Sequence, residues 1–194
     1  MENSERIDFR YFIFYKPFGY LSQFSDEDNN PGLGQLLDLP KDVYPIGRLD
    51  KDSEGLLLLS NDKKLNFKLL NPENEHRRTY WVQVDNEITE EAIARLEKGV
   101  SIKVGKSRHQ TKPCVARKIS EPRLSERNPP VRFRKNVPTS WIEISLTEGK
   151  NRQVRKMCAA VEFPCLRLVR ASIERLDIGS LKVGELKEVK KIRV

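Results

Sequence analysis

Pro45-Ile46-Gly47-Arg48-Leu49-Asp50-Lys51-Asp52-Ser53-Glu54-Gly55, running on into Leu56-Leu57-Leu58-Leu59-Ser60-Asn61-Asp62, sets a charge-dense loop directly before four consecutive leucines. A short unbroken apolar run after a glycine is the pattern of a strand buried on both faces. The loop is then anchored to the core at its exit, which is how a scaffold holds a reactive side chain still. Three readings of the loop stand open. Asp50, Asp52, Glu54 and Gly55 copy the first half of a calcium loop, but the bidentate glutamate required at its twelfth position is Asn61 here, and the ninth position is Leu58. A solvated acidic turn also fits. So does a catalytic carboxylate.

Working outward, Phe9 to Tyr15 is an aromatic and β-branched run that predicts a first strand, closed by Lys16-Pro17, with a second short strand ending at Leu21-Ser22. Ser25 to Gly34 is loop by composition, and Leu33, Leu36 and Leu37 give one helical turn before Pro40. After the leucines, Asn61 or Asp62 caps a helix marked by Leu65, Phe67, Leu69 and Leu70, which Asn71-Pro72 ends. Arg78 to Val84 alternates, with Tyr80, Val82 and Val84 on one face. Thr89 caps the next helix, acidic in its first turn and closed by Lys98-Gly99.

Ser101 to Ile119 predicts one or two strands rich in Lys and Arg. Glu121 to Val137 is a Pro- and Arg-rich loop, its five bases Arg123, Arg127, Arg132, Arg134 and Lys135 interleaved with Phe133, a composition suited to phosphate. Trp141 to Thr147 reads as a strand with Ile142, Ile144 and Leu146 inward. Asn151 caps a helix whose apolar face is Val154, Met157, Cys158 and Val161, with Arg152 and Lys156 opposite and Arg155 on the border. Cys165 to Ile173 is a strand carrying Arg167 and Arg170, and Glu188 to Val194 is the last strand. Strands and helices mix without a βαβ rhythm, so the expected class is α+β on a largely antiparallel sheet.

The 194 residues suffice for one ordinary domain, or one domain made of two lobes, over 1–194. A net charge of +8 favours an anionic partner, nucleic acid before membrane, because the bases do not follow one amphipathic helix. No apolar run approaches the ~20 residues that span a bilayer, and Met1 to Arg10 lacks the apolar core of a secretion signal. Cys114, Cys158 and Cys165, an odd and widely spaced set, argue for reduced thiols and a cytoplasmic protein. His76 and His109 share no metal spacing with them, so no metal is expected.

A carboxylate nucleophile works on sugars without any cofactor. An aspartate side chain is ionised at neutral pH, and an adjacent arginine keeps it so by charge and paired hydrogen bonds. On charge alone a non-catalytic RNA-binding protein fits equally. A glycosidase using Asp50 with Asp52 or Glu54 as its carboxylate pair is a third possibility. Tyr80, from spacing alone, reads as core or as a stacking platform.

Gly47-Arg48-Leu49-Asp50 with the leucine run and Ser60-Asn61-Asp62 resembles the signature of the RsuA-type pseudouridine synthases. The likeness continues in Lys16-Pro17-x-Gly19, in Arg78-Thr79-Tyr80-Trp81-Val82 and in Glu148-Gly149-Lys150-Asn151-Arg152-Gln153-Val154-Arg155-Lys156-Met157, and it closes with Leu168-Val169-Arg170 and Leu181-x-x-Gly184-Glu185. Arg78 and Lys150 stand where relatives more often carry Lys and Arg, with charge kept. With 46 residues before Gly47, no S4 RNA-binding domain is expected, and Asn128 to Lys135 leading into Pro138-Thr139-Ser140-Trp141 is similar to the branch acting on 23S rRNA.

The resemblance implies a catalytic domain of two lobes with the cleft between them. It implies Asp50 as the catalytic aspartate, Tyr80 stacked on the target uracil, Arg155 paired with Asp50, and Arg48 in the gap left by the flipped base. The substrate it implies is 23S rRNA or a pre-ribosomal particle, modified without cofactor or metal by a protein taken as a monomer. Arg132, Arg134 and Lys135 of the 121–137 loop, with Arg152, Lys156, Arg167 and Arg170, are the candidate phosphate contacts.

Overall fold

The computed structural model describes residues 8–131 and 137–193, so Arg132, Arg134 and Lys135 lie outside the described residues. In chain order, β1 (Tyr11–Lys16), β2 (Tyr44–Ile46), β3 (Glu54–Ser60) and α1 (Lys63–Leu70) make the first half. β4 (Arg78–Asp85), α2 (Glu90–Lys98), β5 (Ser101–Val104), β6 (Ser107–Gln110) and β7 (Val115–Ile119) follow. Then come β8 (Thr139–Leu146), α3 (Gln153–Ala160), β9 (Cys165–Ile173), β10 (Leu176–Asp177) and β11 (Leu186–Val189).

The leucine run forms β3, and every residue in it is buried. Period-2 alternation explains how four leucines in a row are all covered. Leu56 and Leu58 pack with Leu65 and Leu69 of α1, while Leu57 and Leu59 pack on the other face with Phe12, Phe14, Leu33, Leu37 and Val43. Asp62 caps α1 by accepting from the backbone of Lys64 and Leu65, and Thr89 caps α2 through Ala92. Phe67, on the outer side of α1, faces solvent.

One sheet runs β11–β1–β3–β9–β4–β8–β7, with β2 beside β3 and β10 beside β9. Its strand pairings are antiparallel except β3 with β9, which are parallel over two residue pairs, Glu54 with Val169 and Gly55 with Arg170. This short seam divides the sheet into two halves with separate cores. The second core joins Val82, Val84, Ile142, Ile144 and Leu146 to Ile93 and Leu96 of α2 and Met157 and Cys158 of α3. The expected class, α+β on a mostly antiparallel sheet, is the one observed. Gly55 is fixed by the seam: its φ is +108°, and a Cβ there would lie 2.4 Å from the Arg170 carbonyl oxygen.

Several local expectations change. Phe18 to Ser22 turns rather than pairing as a strand, because the Lys16 ammonium donates to the carbonyls of both Pro17 and Tyr20 and curls the chain around itself. β2 escapes the sequence reading because it is three residues with a central proline, tolerated only beside an edge. The Lys/Arg-rich stretch gives three strands, of which β5 and β6 form their own hairpin. The last strand is Leu186–Val189, set by its register with Tyr11 to Phe14. Among the described residues no helix is long and apolar enough to cross a membrane.

Candidate active site

The loop between β2 and β3 is held from below and from one side. Leu49 is buried, and the Ser22 hydroxyl both accepts from its backbone N–H (2.9 Å) and donates to its carbonyl (2.8 Å). Gly19 N–H donates to the Lys51 carbonyl at 2.8 Å, so the Lys-Pro-x-Gly turn clamps the acidic loop. Beneath that turn Lys16 is fully buried. Burial pulls its amine down to about 7, opposed chiefly by the charges of Glu54 and Asp52.

Asp50 is one-third exposed and projects into a cleft of about 870 Å³ that opens above the β3–β9 seam. Arg48, Tyr80, Arg152 and Arg170 line the same cleft. One wall is α1 and the residues after it. The other is the Glu148–Val154 segment, with His109, Gln110 and Lys112 at the mouth. Arg48 is exposed at the rim, donating to Gln23 Oε1 at 2.9 Å. Tyr80, half-buried, sits on β4 beside a bulge and opposite Arg170 in register; a bulge re-aims the side chains next to it.

The arginines are arranged differently from expectation. Arg155 does not pair with Asp50. Its Nε lies 3.3 Å from Asp52 Oδ2, and its Nη2 donates to the Asp52 carbonyl. The guanidinium near Asp50 is that of Arg152, at 3.8 Å, and the same Arg152 grips Asp52 through two bonds of 2.8 and 2.6 Å. The cause is the start of α3. Asn151 does not cap it: Arg152 is the cap residue, with a left-handed φ of 52°, and contributes no side-chain bond to the helix end. Turned out of the helix, Arg152 reaches the acidic loop. Gln153 closes the turn by accepting from Lys150 N–H and donating to Glu148. Burial works against ionisation of Asp52, but the Arg152 fork and the charges of both arginines hold its carboxyl below the ordinary value.

Arg167 and Arg170, expected on phosphate, are both buried. Arg167 forks onto the equally buried Glu54 at 2.9 and 2.8 Å and donates to the Ser125 carbonyl. Arg170 donates through Nε to the Leu56 carbonyl, and its Nη2 makes no protein hydrogen bond although the residue lines the cleft. Central strands take both residues inward, a position that periodicity alone could not assign. Lys156 bends back onto Asn151. The described part of the 121–137 loop is fastened down: Leu124 packs against the cluster of Tyr15, Val169 and Ile178, and the Arg127 guanidinium lies 4.3 Å from the Phe18 ring centre.

Residues missed in the sequence are Ser22, Asp52 as a hub for two arginines, Gln153, and the pair His109–Glu148 (2.9 Å) at the cleft mouth. Asp52 was visible only as part of an acidic run. For Ser22 and Gln153 no local signal exists, since their partners are distant or lie in an irregular turn. The three cysteines form no disulfide, and burial pushes the Cys165 thiol up to about 11.

Comparison with known proteins gives the family. The family described as RNA pseudouridylate synthase matches residues 10–160. This chain belongs to that family. The chain is thereby an RNA pseudouridine synthase, an isomerase. It is 46% identical over 190 residues to the Ribosomal large subunit pseudouridine synthase E of Vibrio parahaemolyticus serotype O3:K6 (strain RIMD 2210633), covering 96% of this chain and 78% of the relative. The synthase of the same description from Xanthomonas axonopodis pv. citri (strain 306) is 48% identical over 84% of this chain and 85% of its own length. A solved pseudouridylate synthase crystal structure shares the fold, with a TM-score of 0.77 at 24% identity over 94% of this chain and 71% of that one.

Proposed function

We propose that this pseudouridine synthase isomerises one uridine of large-subunit (23S) rRNA, as free RNA or in an assembling particle, with Asp50 as its catalytic aspartate. The observation that carries the reading is the convergence of Asp50, Tyr80, Arg152 and Arg170 on one cleft, with the Asp50 carboxylate open to it. A stacked uridine cannot offer its glycosidic bond to a carboxylate on a cleft wall, so it must be flipped out, at a cost of a few kcal/mol. A base-aromatic stack on Tyr80 returns about 1–3 kcal/mol, and Arg48, exposed at the rim, is placed to fill the vacated stack. Asp50 then acts at the ribose or the base. The C1′–N1 bond breaks, the uracil turns, and C1′ bonds to C5; the C5 proton leaves and N1 ends protonated. The conversion is redox-neutral and calls for no cofactor.

Arg155 and Arg152, joined through Asp52, brace the loop that carries Asp50. Arg152 and the 121–137 loop supply phosphate contacts. Asp50→Asn is expected to abolish pseudouridine formation while RNA binding persists, assayed by mapping pseudouridine in large-subunit rRNA. Retained activity in that variant sinks the assignment. Release of free uracil by the wild type would indicate hydrolysis instead.

A further inference from the structure

The β5–β6 hairpin stands apart from the main sheet. Ile102 on its inner face joins the second core, and β5 packs on α3, the helix that begins beside Arg152. Period-2 alternation turns Lys103 and Arg108 to the outer face, and the register sets them directly opposite one another. Both are exposed. Like charges directly opposite on paired strands are destabilising.

Two exposed bases on β7 do have acids: Arg117 meets Glu143 and Lys118 meets Glu87. Among the described residues no carboxylate stands within ion-pair distance of Lys103, Lys106 or Arg108. Arg108 uses only its Nε, on the Ser101 hydroxyl. Residues 101–110 hold Lys103, Lys106 and Arg108 and no Asp or Glu. A face that repels itself and has no internal counter-charge is shaped for an external anion. β6 links this face to the cleft: Gln110 shares the outer face with Arg108, two residues away, and lines the cleft.

We infer that the outer face of the β5–β6 hairpin is an RNA-contacting surface, on which Lys103 and Arg108 meet backbone phosphates of the strand flanking the flipped nucleotide. The inference rests on the proposed function in taking RNA as the anion, and adds a contact surface outside the cleft. Its test is the binding of a large-subunit rRNA transcript across a salt series. In Lys103→Gln/Arg108→Gln the slope of log affinity against log salt falls by about 1.4–1.8, two phosphate contacts at 0.7–0.9 each. Arg108→Glu places an acid opposite Lys103. It is expected to raise the melting temperature of the free protein by about 1–3 °C while weakening RNA binding more than Arg108→Gln does.

An unchanged salt slope in the double variant overturns the inference, and so does a melting temperature that fails to rise in Arg108→Glu. Pseudouridine formed normally alongside an unchanged slope defeats this surface alone. Salt-sensitive binding that depends on the hairpin, with no pseudouridine formed by the wild type on any RNA, supports the surface and defeats the functional reading.

Discussion

Two arginine–carboxylate forks are built from the same groups at nearly the same distances, and their surroundings give them opposite uses. Arg167 grips Glu54 at 2.9 and 2.8 Å, with side chains 7% and 2% exposed. Arg152 grips Asp52 at 2.8 and 2.6 Å, with side chains 41% and 33% exposed. The first lies at the β3–β9 seam and also ties down the 121–137 loop through Ser125. The second lies at the cleft, within 3.8 Å of Asp50. Water near the second pair screens it and lets it exchange partners. A guanidinium fork that fits a carboxylate also fits a phosphate; the Arg152 fork is open to an external anion and the buried Arg167 fork is not.

The largest effect expected from breaking this contrast is at the seam. Arg167→Ala leaves Glu54 charged, buried and unpartnered, and is expected to cost about 3–5 kcal/mol in urea unfolding. A loss under about 1 kcal/mol, the range of exposed pairs, would erase the distinction. Arg152→Gln is the matched change at the cleft. Stability should move by no more than about 1 kcal/mol, while the salt slope of rRNA binding falls by about 0.7–0.9. An unchanged slope would leave Arg152 a purely internal partner of Asp52.

Lys16 sharpens the comparison further, since Glu54 and Asp52, one acid from each fork, are the main charges opposing its loss of proton. Its amine falls from 10.5 in the unfolded chain to about 7 when folded. Between those values the unfolded state holds the extra proton, so stability rises with pH, by up to about 1.4 kcal/mol per unit. Lys16→Met should flatten that part of the profile when unfolding is followed from about pH 7 to 9. Equal slopes in both proteins would mean the buried amine keeps its proton.

Legibility in the sequence followed the range of the interaction. The four leucines, the Tyr80–Val82–Val84 alternation and the cap at Thr89 depend on neighbours within a turn or a strand, and they read directly; the cap of α1 stood open between Asn61 and Asp62, and Asp62 takes it. The arginines did not. Arg152, Arg155, Arg167 and Arg170 lie within 19 residues of one another, yet their partners are Asp52, Glu54 and the Leu56 carbonyl, about a hundred positions away. Charge placed Arg152, Arg167 and Arg170 on phosphate and the family resemblance paired Arg155 with Asp50; burial moved Arg167 and Arg170 inside, and Arg155 went to Asp52. The β5–β6 hairpin showed its bases in the sequence, but not that two of them face each other.

By itself, then, the order of residues determined the strand-forming core, the class of fold, and the family to which the chain belongs, because local pattern and motif spacing need no knowledge of distant contacts. Which guanidinium meets which acid was decided only when β9 came to lie parallel to β3 and α3 began with a left-handed Arg152. Those pairings depend on how much water remains around each charge, and that is a property of the packed chain.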